Sequence, residues 1–165
     1  DAVTLVAENP QEITTEGGLD VRASLSIVRA AVHRLREGGI ITSLFIDPDA
    51  QQIEAARDVG AQQVELCTAE YAEATLGARA AHNEGAMRAA HELRRLREAA
   101  TLAMQYGMRV AAGHGLTYRN AGAVAAIEEI TEFNIGHNIV ARSIFVGLEK
   151  AVVEMREAIK AGSKS

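Results

Sequence analysis

A histidine held between two glycines, Gly113-His114-Gly115, follows the apolar run Val110-Ala111-Ala112. Flanking glycines permit a tight turn and close approach of a ligand, and an imidazole serves as acid or base under neutral conditions. The segment is not a phosphate loop, since no Gly-Lys-Ser/Thr follows, and it lacks the third glycine of a dinucleotide fingerprint. A tight turn carrying a part-exposed histidine accounts for the same residues. A second pair, Gly136-His137, closes another apolar run and opens a helical stretch. A helix start offers unpaired N–H groups and the positive end of the helix dipole, which suits phosphate. A plain strand-to-helix turn fits it too. Glu65 lies between Val64 and Leu66. Either its carboxylate points inward, where it needs hydrogen-bond partners, or it sits at the surface between strand and helix. Thr14-Thr15-Glu16-Gly17-Gly18 combines hydroxyls, a carboxylate and two glycines. It reads as a ligand-gripping loop or as a Gly-rich loop capping the next helix.

The other candidates are weaker. His33 falls on a helix flank and faces solvent. His82 and His91 lie in or near a long helix, and His91-Glu92 lacks the second histidine of a zinc-protease motif. Cys67 reads as a small core residue. Arg94, Arg95 and Arg97 read as a solvated helix face. No Cys/His cluster has the spacing of a zinc site.

These residues stand at the ends of a repeating pattern. Val3 to Ala7 reads as a strand, and Leu25, Val28, Val32 and Leu35 as one face of a helix over 23–37 that stops at Gly38-Gly39. A strand over 40–46 follows. Asp47-Pro48-Asp49 then opens a helix carrying Ile53, Ala56 and Val59 and ending at Gly60, with a capping Asp and a Pro in its first turn. Val64 to Thr68 is the third strand, and a segment of mixed helical character runs from Ala69 to about Asn83. A long helix over 84–106 places Met87, Ala90, Leu93, Ala100 and Ala103 on one face and ends at Gly107. Met108 to Ala112 is the fourth strand, 120–130 an Ala-rich helix, and Phe133-Asn134-Ile135 a short fifth strand. Residues 138–161 are helical with a break near Gly147, and the tail 162–165 is polar and frayed. Strands alternating with helices predict a parallel α/β sheet, either open and doubly wound or closed as a barrel. A complete (β/α)8 barrel needs ~250 residues, so five strands make a small open sheet or the back part of a barrel. In both, ligands gather at the carboxyl ends of the strands.

The 165-residue chain is 48% hydrophobic and 24% charged, the make-up of a single globular domain. No apolar run approaches the ~20 residues of a membrane span. The net charge of −5 argues against a general nucleic-acid surface. A single cysteine fits a reducing compartment, the cytoplasm. Asp1 stands almost directly before the first apolar run, so further sequence is expected upstream.

Four segments in order carry a family resemblance: Glu12-Ile13-Thr14-Thr15-Glu16-Gly17-Gly18-Leu19-Asp20-Val21, Ser43-Leu44-Phe45-Ile46-Asp47, Ala112-Gly113-His114-Gly115-Leu116-Thr117-Tyr118 and Phe133-Asn134-Ile135-Gly136-His137. Together they resemble the pyridoxine 5'-phosphate synthase family of vitamin B6 biosynthesis, across nearly the whole chain. The resemblance implies a (β/α)8 TIM barrel of which residues 1–165 are the C-terminal portion of one domain. This portion supplies about five βα units, strands four to eight, and the terminal helices. The family's first three strands, with their Asn-Asp-His segment, Arg/His-rich loop and catalytic Glu, have no counterpart here. Ala7-Glu8-Asn9-Pro10 replaces a usual Pro-Glu-Lys-Arg type of stretch, and Ala69 stands where Gly is common.

The resemblance also implies roles. His114 resembles the histidine acid that donates a proton during condensation, and Glu65 the inward carboxylate that stabilises a transition state. Gly115, Gly136 and His137 resemble the contacts to 3-amino-2-oxopropyl phosphate, and Thr14 a contact to 1-deoxy-D-xylulose 5-phosphate. The implied reaction condenses these two substrates to pyridoxine 5'-phosphate, releasing phosphate and water, with no metal or redox cofactor. The implied assembly is a homo-octamer, with neither nucleic acid nor membrane as partner. Two alternatives stand beside it: another phosphate-binding barrel enzyme, and an inactive part-barrel that only self-associates through open strand edges.

Overall fold

Short runs with alternating or continuous apolar residues become five strands, β1 (Ala2–Leu5), β2 (Ile41–Ile46), β3 (Gln63–Cys67), β4 (Arg109–Gly113) and β5 (Ile130–Asn134). In the computed structural model, which describes residues 1–7, 17–76 and 83–163, these form one sheet. Its order is β1-β2-β3-β4-β5, and every pairing is parallel. The connecting helices are α1 (Leu25–Glu37), α2 (Ala50–Val59), α3 (Ala69–Thr75), α4 (Asn83–Gln105) and α5 (Ala121–Ala125), and α6 (His137–Val146) and α7 (Leu148–Gly162) close the chain.

The strand order never reverses. Right-handed crossovers between successive neighbours then deliver each helix to the same face of the sheet, whereas a doubly wound sheet has a reversal point and helices on both faces. The core agrees with this. Leu44, Ile46, Val64, Leu66, Val110 and Ala112 belong to one buried cluster with Val28, Val32, Ile53, Leu96 and Ala100 of the helices. Residues of the opposite parity, Phe45, Glu65, Gly113 and Asn134 among them, line the other face.

Local chemistry sets the ends of the elements. Asp49, with extended backbone, caps α2 by accepting from the N–H groups of Gln51 and Gln52 at 2.8 and 3.3 Å. Pro48 thus lies before the helix, not in its first turn as expected. Gly60 ends the same helix in the left-handed region, φ 85°, and returns its N–H to Arg57.

Further expectations need correction. The inward face of α4 keeps the expected Leu93, Ala100 and Ala103, but Met87 is 73% exposed and Ala90 is exposed, and Gly85, Glu92, Leu96 and Ala99 are buried. A charged residue, Glu92, occupies the stripe, paired at 2.8 Å with Arg95, whose guanidinium also reaches the Pro48 carbonyl. Arg95 is therefore part of the packing and not of a solvated face. The Ala-rich helix covers only 121–125, because Ile127 closes a tight last turn onto Val124 and Ile130 already pairs with Val110 in the sheet. The fifth strand begins three residues earlier than expected, with an irregularity in register between Val110 and Ala111. The last helix runs through Gly162, one residue into the segment expected to fray. No helix among the described residues is long and apolar enough to cross a membrane.

Candidate active site at the strand ends

The turn after β4 is the most constrained part of the site. His114 has φ 81° and Gly115 φ 74°, two left-handed residues in succession. Among the described residues His114 is the only non-glycine with positive φ, a conformation that costs ~1–2 kcal/mol. Thr68, at the end of β3, holds it in place. Its N–H and its hydroxyl both donate to the Gly113 carbonyl at 2.8 Å, and the hydroxyl also reaches the carbonyl of His114. A Cβ at Gly115 would stand 2.6 Å from that of Ala72 on α3, so both space and backbone require glycine there. The imidazole of His114 is half-buried, 6.4 Å from the Phe45 ring centroid at a tilt of 43°.

Asn120 braces the rest of this loop. Its side-chain oxygen accepts from the N–H and hydroxyl of Thr117 at 2.6 and 3.1 Å, and its amide donates to Thr75 at 2.9 Å. Its carbonyl accepts from the Tyr71 hydroxyl at 3.0 Å. Asn120 is 3% exposed, so Asn120→Ala leaves its part-buried partners at Thr117 and Thr75 unsatisfied. We expect a loss of about 2 kcal/mol of unfolding free energy, read as a lower urea midpoint at unchanged slope; an unchanged midpoint would contradict this bracing role.

The end of β5 supplies the second half of the site. Gly136 caps α6 without a side-chain hydrogen bond, so the first-turn N–H groups from His137 onward have no partner within the helix. A Cβ built at Gly136 meets nothing within 4 Å. The carboxylate of Glu65 reaches this end of the sheet from β3 and accepts from the Asn134 amide at 2.7 Å. Glu65 is only 9% exposed. Burial pushes its carboxyl above the usual range, Asn134 pulls it back, and the like charge of Glu132 adds to the rise.

These parts open into one cleft of about 700 Å³, lined by Phe45, Glu65, His114, Gly115, Asn134, Gly136 and His137, with Val6 at its edge. Five of the residues singled out in the sequence thus meet in one place: His114, Glu65, Gly115, Gly136 and His137. Thr14 lies outside the described residues, as does His82. Glu65 takes the inward reading. His33 and His91 are exposed helix residues far from this chemistry in the fold. Cys67 is buried, and its thiol is pushed up to about 11 by that burial, which removes it as a nucleophile. Sequence reasoning gave no role to Thr68, Asn120 or Asn134. The signal for Asn134 was its spacing of two from Gly136 at a strand end, and that for Thr68 was its place directly after β3. The cleft offers an acid–base imidazole, a carboxylate whose burial favours its protonated form, and a helix start for an anion. Among the described residues no cluster of acidic, His or Cys side chains is arranged to hold a metal.

Residues 1–161 match the family described as "Pyridoxal phosphate biosynthesis protein PdxJ". A protein of Prochlorococcus marinus (strain MIT 9303) named pyridoxine 5'-phosphate synthase is 53% identical over 160 residues, covering 97% of this chain and 61% of its own length. A protein of the same name from Geobacter sulfurreducens is 47% identical over 160 residues, covering 97% of this chain and 63% of its own. The chain thus spans about six-tenths of the length of the curated relatives it matches. Among solved structures, a chain of the Amycolatopsis orientalis BexX/CysO complex superposes with a TM-score of 0.61 at 17% identity, covering 98% of this chain and 55% of that one. At that identity the likeness is one of fold alone.

Proposed function

The chain belongs to the PdxJ family, and from that premise we propose that it acts as pyridoxine 5'-phosphate synthase within a longer polypeptide. The amine of 3-amino-2-oxopropyl phosphate condenses with the ketone of 1-deoxy-D-xylulose 5-phosphate, and loss of phosphate and water with ring closure gives pyridoxine 5'-phosphate. One observation carries this reading: His114, Glu65 and the open start of α6 share a single cleft at the carboxyl ends of the strands. His114 donates the proton that assists condensation. Glu65 stabilises the charge that develops opposite it. The backbone at Gly115 and Gly136, with His137, receives the phosphate of the aminoketone. Thr14 contacts the sugar phosphate. None of these roles calls on a metal or redox cofactor.

The same reading places β1 to β5 as strands four to eight of a (β/α)8 barrel in one domain. Helices on one face, a polar opposite face, and free outer edges on β1 and β5 among the described residues support it. Ile144, Phe145 and Leu148 at the α6–α7 corner are exposed. Apolar surface of this kind packs against further chain or another copy, which supports a homo-oligomer, an octamer by family resemblance; the single cysteine supports the cytoplasm.

The test is an assay of the full-length protein with both substrates, detecting pyridoxine 5'-phosphate by mass. No product, together with tight binding of a different sugar phosphate, would sink the reading. The phosphate role of α6 has its own test. Since a side chain at residue 136 meets no protein atom, Gly136→Val should fold normally. It should weaken aminoketone phosphate binding at least tenfold, ~1.4 kcal/mol, by filling the space the phosphate takes. Unchanged affinity by calorimetry would count against that phosphate site.

A further inference from the structure

We propose that Asn134 is a positioning residue for Glu65, and that Gly113 is the gap through which the two side chains meet across β4. The strand register makes the case. Glu65 on β3 pairs with Ala111, while Asn134 on β5 pairs with Gly113, two residues further along β4. The Glu65 side chain must therefore lean along the strands and pass over β4 to reach the Asn134 amide, 2.7 Å away. It can do so because residue 113 has no side chain. A Cβ there would stand 2.4 Å from Glu65 Oε1, 3.0 Å from the Asn134 carbonyl and 3.3 Å from the Asn134 Cβ.

One layer lower the pattern recurs with the chemistry exchanged. Gln63 on β3 donates to Glu132 on β5 at 3.3 Å, across β4 at Ala111. In both layers an amide and a carboxylate on alternate strands meet over a small residue of the strand between them. The upper pair is the one that opens into the cleft.

Its consequence is chemical as well as geometric. The Asn134 amide takes Oε2 of Glu65, and Oε1 has no hydrogen-bond partner among the described residues. The donor favours the ionised carboxylate, against the burial and the Glu132 charge that favour its protonated form. The titratable groups that face Glu65 are Glu132 on β5 and His114 after β4, with His137 at the head of α6 in the same cleft. Asn134 thus fixes which oxygen of Glu65 is presented and how readily it holds a negative charge.

This inference rests on the proposed synthase reading, and its test separates the two. Asn134→Ala in the full-length protein should lower kcat about 10- to 100-fold and leave both KM values within about threefold, since Asn134 is not asked to bind phosphate. In a Glu65→Gln background the same substitution should add nothing further to the loss. The substrate-free readout is the titration of Glu65 followed by carboxyl-carbon NMR. Its midpoint should move upward in Asn134→Ala, and again in Gly113→Ala, where the added methyl pushes the carboxylate off the amide. A protein without synthase activity that still shows the upward shift would retain the Glu65–Asn134 pair and lose the reaction assigned to it. An unmoved midpoint in folded Asn134→Ala, or a loss of kcat that adds fully to that of Glu65→Gln, would overturn the proposal. Should Gly113→Ala fail to fold, the Asn134 variant decides alone; Asn134 is exposed in this chain, and its truncation leaves the core untouched.

Discussion

His114→Ala in the full-length protein is expected to lose about 10²–10⁴-fold in turnover while both phosphorylated substrates still bind. The separation follows from where each function resides. Phosphate recognition is assigned to backbone groups at Gly115 and at the start of α6, which the substitution leaves in place. The turn itself is held by Thr68 through the carbonyls of Gly113 and His114, not through the imidazole. Alanine at φ 81° keeps a backbone cost similar to that of histidine, so folding is little affected. His114→Asn is the sharper control, because asparagine accepts a left-handed backbone readily and offers no titrating nitrogen. It should fold as well as wild type and remain as slow as the alanine variant. Calorimetry gives the affinities and single-turnover kinetics the chemical step. Near-normal turnover in either variant refutes the acid role of His114.

The positions of that turn and of its partners were legible in the sequence for a simple reason. Three of the four helix-to-strand handovers fall at a glycine, the one from α5 to β5 being the exception, and each strand delivers its last residues to one end of the sheet. Gly39, Gly60 and Gly107 mark three such handovers, all with positive φ. Reading the strand ends in order therefore put His114, Gly115, Gly136 and His137 at one rim. The sequence was less informative where a local pattern had two readings. Glu92 interrupts the apolar stripe of α4, and its burial depends on Arg95 folding back onto it, which no spacing rule reveals. Ile127 and Ile130 look like one helical face, yet one closes a turn and the other enters the sheet. Asn134 was hidden for a deeper reason. Its contact with Glu65 joins residues 69 positions apart and exists only when β4 lies between them in the observed register. The order of the strands was likewise hidden, since a doubly wound sheet and a barrel arc use the same helices and strands; the observed order has no reversal point.

Glu65→Gln should lower turnover by about 10²–10³-fold and yet leave the protein as stable as wild type at neutral pH, or more stable. The sign follows from the upward displacement of its carboxyl by burial. A group whose folded-state pKa is raised stabilises the fold below its unfolded-state value, and that contribution is lost as pH rises through the folded value. At neutral pH the ionised Glu65 is thus a net cost to folding, only partly offset by the Asn134 amide. Glutamine removes the buried charge at nearly constant volume. The stability difference between variant and wild type should therefore be largest at neutral pH. It should shrink as pH falls toward the ordinary carboxylate range, where wild-type Glu65 is itself protonated. Thermal melts across that pH interval measure the difference directly, and the assay with both substrates measures the loss of rate. A variant that is slow but stable marks a carboxylate kept for chemistry at the expense of the fold, as expected for a preorganised site. A variant markedly less stable than wild type at neutral pH would instead make Glu65 a structural anchor of the sheet and remove the argument that its charge is kept for chemistry.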